Sequence, residues 1–229
     1  MTRDYAVIVP TYNRYAECVR AVRSALSQSV PPLEVVVVDD ASTDKRYEWL
    51  EEIVHDSRLT YLQSPQNSQQ ITGVGFAVGT VRNRALAYLS GLSFDGWIAF
   101  LDDDDEWMPD KAKTQFLAVE KYGNCRLVCS NAYNRTPDGE NVGRHHGEHG
   151  THIGGGVFDV TQELRHNNPV INSSAMITSP LQRKIGVQQA AGYGEDFNFW
   201  RRAAQHTRVL RVDEPLLHYS VGNKKRYTL

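Results

Sequence analysis

The segment YAVIVPTYNRYAECVRAVRSALSQSVPPLEVVVVDD, residues 5–40, decides the fold. YAVIVP and LEVVVVDD are short, β-branched apolar runs that stop at polar or turn residues, as strands buried on both faces of a parallel sheet do. Between them, residues 14–29 place Val19, Val22 and Leu26 on one helical face, with Asn13 as the expected N-cap. The three together predict a βαβ unit.

Outward from this unit the alternation continues. ASTDKRYEWLEEIV (41–54) reads as a helix entered through Ser42 or Thr43, and LTYLQS (59–64) as a third strand. The polar loop PQNSQQITGVG leads into a helix over FAVGTVRNRALAYLSG (76–91), closed by Gly91, and then into the strand GWIAFL (96–101). Such a pattern predicts an α/β, Rossmann-like, mostly parallel sheet flanked by helices, with ligands outside the carboxyl ends of its strands. Both acidic clusters, Asp39-Asp40 and Asp102–Asp105, fall at those ends.

The second half differs in composition. NRTPDGENVGRHHGEHGTHIGGG (134–156) holds seven glycines and four histidines without apolar periodicity, which predicts a long mobile loop. Regular structure is expected to resume with a strand over VINSSAMITSP (170–180), a helix over GEDFNFWRRAAQH (194–206) and a strand over RVLRVDEPLLHYS (208–220).

Composition narrows the function classes. At 229 residues and 41% apolar content the chain fits a single larger α/β domain, and a formal charge of −2 argues against a nucleic-acid partner. Three cysteines without a CxxC pair argue against a disulfide framework or zinc ribbon and are expected to be reduced packing residues. The N-terminus has no signal-peptide pattern, and no apolar run nears the roughly 18 residues of a transmembrane helix. A cytoplasmic protein is expected, with peripheral membrane contact open.

The motifs PTYNR, VVVVDDASTD, VRNRAL, FLDDDDEWMPDK and GYGEDFNFWRRA, in that order over most of the chain, resemble glycosyltransferase family two. The resemblance implies a GT-A fold over residues 1–229, with a nucleotide-sugar-binding half (1–105) and an acceptor-binding half (106–229). It also implies transfer, with inversion, from a UDP- or dTDP-sugar to a carbohydrate or other hydroxyl acceptor.

Carried over residue by residue, the resemblance places Pro10, Thr11 and Tyr12 around the base and ribose, and Asp40 on the base. A carboxylate accepts from the ring N–H of uracil or thymine, and Tyr12 is suited to stack on its face. Arg82 matches the arginine that reaches the base or diphosphate, with a solvated helix face as the other reading. The run LDDDD registers Asp102 and Asp104 as the DxD pair.

If that run is extended, alternate residues share a side, so Asp102 and Asp104 address one metal ion and Asp103 turns away. Asp103 is still counted in the nucleotide-sugar-binding motif. Asp105 is expected to favour the N-terminus of the helix entered at MPDK, with Pro109 near its first turn. Bare carboxylates beside a diphosphate repel it by about 4 kcal/mol per contact at 4 Å and an effective dielectric near 20, so Mn²⁺ or Mg²⁺ is expected. His218 is the further metal-ligand candidate implied by the resemblance, and His145, His146, His149 and His152 are weighed as another metal group.

Asp196 in the ED motif is the expected general base, with Glu195 and Trp200 on the acceptor side. The competing readings are a nucleotidyltransferase, which would want a triphosphate cradle where only Arg14 stands, a phospho-receiver module, and a non-catalytic nucleotide binder. GVGFAVG (73–79) superficially matches a dinucleotide fingerprint, but it follows a polar loop where a strand is required.

Overall fold

In the computed structural model, which describes residues 2–73, 77–147, 150–189 and 194–221, the βαβ unit is present. Strands β1 (Tyr5–Thr11) and β2 (Glu34–Asp39) pair in parallel, from Ala6 opposite Glu34 to Thr11 opposite Asp39, and α1 (Tyr15–Leu26) crosses between them. The chain continues through α2 (Leu50–Val54), β3 (Leu59–Gln63), α3 (Ser68–Thr72), α4 (Val78–Gly91) and β4 (Trp97–Phe100). β3 pairs with β2 and β4 with β1, all parallel, giving the order β3-β2-β1-β4. The order reverses between β1 and β4, so a crevice forms at their carboxyl ends.

The second half adds β5 (Glu106–Trp107), α5 (Lys111–Tyr122), β6 (Cys125–Arg135), β7 (Asn141–Arg144), β8 (Thr151–Gly154), β9 (Val157–Asp159), β10 (Met176–Thr178), α6 (Ser179–Ile185), α7 (Glu195–Ala204) and β11 (Arg208–Ser220). Among the described residues all eleven strands join one sheet, continuing from β4 as β10-β6-β11-β9-β8, with β5 on β11 and β7 on β6. β6 and β11 are parallel, and the other pairings in this half are antiparallel. The sheet is therefore mixed, all-parallel over β3-β2-β1-β4 and mostly antiparallel beyond, with β6–β11 the parallel pair of the second half.

Two-residue periodicity divides the core into two layers. Val7, Val9, Val35 and Val37 face α1 and α5, meeting Cys18, Val22, Phe116 and Val119. Ala6, Ile8, Val36 and Val38 face α4 and α7, meeting Val81, Ala85, Phe199 and Trp200. Each fully buried Val or Ile contributes about 1.5–3 kcal/mol relative to exposure. The three cysteines are buried and unpaired by disulfide.

Several local expectations are corrected. Asn13 does not cap α1: it has φ 51°, and its Oδ1 accepts from the backbone N–H of Thr43 at 2.8 Å, tying the β1 exit to the loop after β2. Ser42 does not cap the next helix: its hydroxyl accepts from Asn13 N–H at 2.8 Å and donates to Asp39. Asp44 caps instead, accepting from Arg46 N–H, and the segment is a 3-10 turn over Lys45–Trp49 followed by the short α2. The strand expected over 170–180 shrinks to β10, because Asn172–Ser174 form a 3-10 turn.

The expected mobile loop at 134–156 carries β7 and β8 in its described part. All four β7 residues are exposed, so they have no buried face to impose an alternating pattern, and periodicity could not have found them. Trp200 is fully buried, edge-on to Phe100 at 5.5 Å and Phe199 at 5.0 Å, and so is a core residue and not an acceptor platform. Trp200→Ala is expected to cost about 3–5 kcal/mol in denaturant unfolding. Unchanged stability with altered acceptor preference would contradict this placement.

Candidate nucleotide-sugar site

A cleft at the carboxyl ends of β1, β2 and β4 is lined by Pro10, Thr11, Tyr12, Asp40, Ser68 and Asp103, among others. The two acids that end β2 divide their work. Asp39 is fully buried, accepting from Ser42 and from the Tyr61 hydroxyl at 2.8 Å, and so braces the loop. Asp40 borders the cleft and accepts from Ser68 N–H at 2.9 Å, Ser68 Oγ at 2.6 Å and Asn67 Nδ2 at 3.1 Å. Burial raises its pKa. Asp40 thereby fixes the start of α3, far along the chain, and not the STD segment beside it.

The acid loop after β4 is a turn, not extended chain. Asp105 N–H donates to the Asp102 carbonyl at 3.1 Å, so the alternation expected of an extended run does not apply. Asp102 accepts from Arg82 at 2.5 Å and Asn172 at 3.2 Å. Asp103 does not turn away: it borders the cleft and accepts from Thr11 Oγ1 at 2.9 Å and Arg14 at 3.3 Å.

Asp104 accepts from the same Arg14 nitrogen at 2.9 Å. Asp105 does not serve a helix N-terminus: it is fully buried, accepting from Ser173 Oγ at 2.5 Å and Ser220 N–H at 2.8 Å. α5 instead begins after Asp110, with Pro109 outside it. Burial, and then the charge of Asp104, push both Asp103 and Asp105 upward in pKa.

Arg14 and Tyr47 are site residues that sequence reasoning left unassigned. Arg14 N–H donates to the Tyr47 hydroxyl at 3.0 Å, which lies 2.6 Å from Thr11 Oγ1, which in turn donates to Asp103. The backbone and side chain of Arg14 thus support the same acid, one through two hydroxyls and one directly. Arg14 stands within PTYNR and was visible, whereas nothing local marks Tyr47.

Across the acid loop, Arg82 is 3% exposed, which excludes the solvated-face reading. It donates to Asp102 on one side and to Glu195 Oε1 at 3.5 Å on the other. Glu195 also accepts from Gly79 N–H at 2.8 Å, and a Cβ at Gly79 would lie 2.9 Å from Glu195 Oε2, so a larger residue at 79 would displace the Glu195 carboxylate from this contact. Glu195 is therefore buried in this contact and not on an open acceptor surface. Asp196, partly exposed, accepts from Asn168 at 3.3 Å and from Phe197 N–H at 2.7 Å, and burial raises its pKa.

His218 stacks on Tyr133 and contacts Asn141 Oδ1 at 3.0 Å; it is Ser220, two residues later, that reaches the acid loop. His145 meets Asn134, and His152 packs on Phe158. His149 lies outside the described residues, as do parts of the GVGFAVG and GYGED motifs. No group of three or more His, Cys, Asp or Glu among the described residues is arranged to hold a metal ion. The side chain of Asp102 is 24% exposed and that of Asp104 is 4% exposed. Hard carboxylate oxygens of this kind fit Mg²⁺ or Mn²⁺ shared with phosphate oxygens and water, not a closed protein cage.

Burial raises the pKa of Glu195 to about 7 despite the Arg82 charge. The folded protein keeps this proton where the unfolded chain, with a pKa of about 4.3, has lost it, so the stability it contributes is full at low pH and lost as pH rises through about 7. Glu195→Gln is expected to melt above the parent at about pH 8 and close to it at about pH 5 in ligand-free protein. An equal gap at both pH values would contradict this account.

The model of Glycosyl transferase family 2 matches residues 6–193. The UDP-Glc:alpha-D-GlcNAc-diphosphoundecaprenol beta-1,3-glucosyltransferase WfgD of Escherichia coli is 33% identical over 138 residues, covering 56% of this chain and 49% of WfgD. The first three curated relatives are matched over 36%, 39% and 49% of their lengths, so this chain spans half of them or less.

Among solved structures, S. aureus TarS 1-349 in complex with UDP-GlcNAc superposes with a TM-score of 0.72 at 21% identity, covering 99% of this chain and 62% of that one. The mannosyltransferase PcManGT from Pyrobaculum calidifontis, in complex with GDP-Man and Mn²⁺, gives 0.65 at 18% identity, covering 96% and 57%. These likenesses establish the shared GT-A fold, and the match of the family model over most of the sequence establishes that the chain belongs to glycosyl transferase family 2.

Proposed function

We propose that this chain transfers a sugar from a UDP- or dTDP-sugar to an acceptor hydroxyl, with inversion, in one in-line displacement that depends on Mn²⁺ or Mg²⁺. One observation carries the reading: Thr11, Tyr12, Asp40 and Asp103 border a single cleft, and Arg82 ties the adjoining acid loop to the ED pair at the start of α7. Pyrimidine recognition falls to Asp40, which accepts the ring N–H, and to Tyr12 as a stacking face. The UDP and UDP-GlcNAc complexes of TarS and the UDP-Glc named for WfgD support uridine as the nucleoside.

Asp102 and Asp104 are the residues that would hold the metal, jointly with the diphosphate. The bound cation would supply charge neutralisation and Lewis-acid stabilisation of the leaving diphosphate. Asp196 accepts the proton of the attacking acceptor hydroxyl. Its raised pKa brings it nearer the working pH, which suits a general base, and Asn168 orients it. We place the reaction in the cytoplasm; peripheral membrane contact is the route if the acceptor is lipid-linked like the one named for WfgD. No helix of the described residues is long and apolar enough to cross a membrane.

UDP with Mn²⁺ is expected to raise the melting temperature where either alone does not, since ligand at about 100 times its Kd adds about 2.7 kcal/mol. Melting curves unmoved by UDP, dTDP or GDP with metal would refute donor binding. Asp104→Asn is expected to lose the metal-dependent shift. Asp196→Asn should keep that shift and lose about 10²- to 10⁴-fold in turnover; unchanged turnover would remove Asp196 as the base.

A further inference from the structure

The acid loop is held at both ends by one distant turn. Asn172–Ser174 form a buried 3-10 turn just before β10. Ser173 Oγ accepts from the backbone N–H of Asp102 at 3.0 Å and donates to Asp105 Oδ2 at 2.5 Å. A hydroxyl has a single proton to donate, so this one atom gives it to the last acid of the run while accepting from the amide of the first. The distance across the loop is fixed through that oxygen.

The turn is itself anchored. The Ser173 carbonyl accepts from Trp107 Nε1–H at 2.7 Å and the Ser174 carbonyl from Gln115 Nε2–H at 2.8 Å, which bind it to β5 and α5. Asn172 Nδ2 donates to Asp102 Oδ1, the same oxygen that Arg82 holds. The side-chain Oδ1 of Asn172 is buried without a hydrogen-bond partner among the described residues, so its amide is turned toward Asp102 at the expense of its own acceptor.

We propose that the Asn172–Ser174 turn, chiefly through the Ser173 hydroxyl, is the positioning element that fixes Asp102 against Asp105 across the acid loop and so aims Asp102 toward the metal and diphosphate of the donor. The inference rests on the donor-binding reading above. Neighbouring carboxylates repel, and without a clamp the loop would spread. Ser173 touches neither donor nor acceptor in this account; it acts through Asp102 and Asp105. Outer-shell partners of this kind typically alter metal affinity or activity by about 10–100-fold.

The test is calorimetric titration of UDP in the presence of Mn²⁺, with thermal unfolding recorded on the same samples. Ser173→Ala is expected to fold and to weaken UDP–Mn²⁺ binding by about 10–100-fold per folded molecule. Asn172→Ala, which removes only the contact to Asp102, should weaken it several-fold. A purely structural role would lower the folded fraction and leave the dissociation constant of the folded molecules unchanged, and that result overturns the proposal.

If Ser173→Ala does not fold, Asn172→Ala decides alone, and unchanged affinity there overturns the proposal. Wild-type protein that fails to bind UDP with Mn²⁺ refutes the donor reading and this proposal with it. Wild-type binding matched by both variants refutes this proposal only.

Discussion

Four carboxylates on consecutive residues repel one another, and much of the structure is arranged to hold them in place. At about 4 Å and an effective dielectric near 20, each like-charged pair costs on the order of 4 kcal/mol if both members are ionised. The fold answers from four directions. Arg14 leaves β1 to bridge Asp103 and Asp104, Arg82 comes from α4 to Asp102, Ser173 spans the loop, and the end of β11 supplies Ser220 to Asp105. Burial pushes Asp103 and Asp105 toward their neutral forms. The second half of the chain therefore helps to hold the acid loop; it is not merely attached beside it.

Arg82 gives that arrangement a second consequence. One buried guanidinium joins the acid at the end of β4 to the first acid of α7, whose carboxylate is also held by the Gly79 N–H of α4. The donor-side loop and the proposed base are thus parts of one network, and a change in one alters the charge felt by the other. Asp196, one residue beyond Glu195, inherits its placement from this contact.

The parallel half of the sheet was legible because its strands are continuous apolar runs and its helices carry apolar stripes. Asp40, Thr11, Tyr12 and the acid loop were legible because each sits at a strand end, where such sheets bind ligands. What escaped reading was set by distant contacts. The direction of Asp103 depends on a turn within the loop, which residue spacing treated as extended.

Tyr47 and Ser173 join the site from segments 36 and 71 residues away from their partners Thr11 and Asp102, and no local pattern announces them. The exposed strand β7, and β8 with Ile153 alone packed on the core, bury too little to show periodicity. Trp200 in the ED helix follows core packing, which overrides the suggestion made by its neighbours in sequence.

The central claim is that the acid loop binds a divalent cation together with a nucleoside diphosphate, through Asp102 and Asp104. An anomalous difference map from crystals grown with UDP and Mn²⁺ tests it most directly. The account predicts a manganese peak bounded by the Asp102 and Asp104 carboxylates and the diphosphate, with the uracil ring at Asp40. A peak held by Asp103 and Asp105 or by His218, or uracil seated away from Asp40, would contradict it.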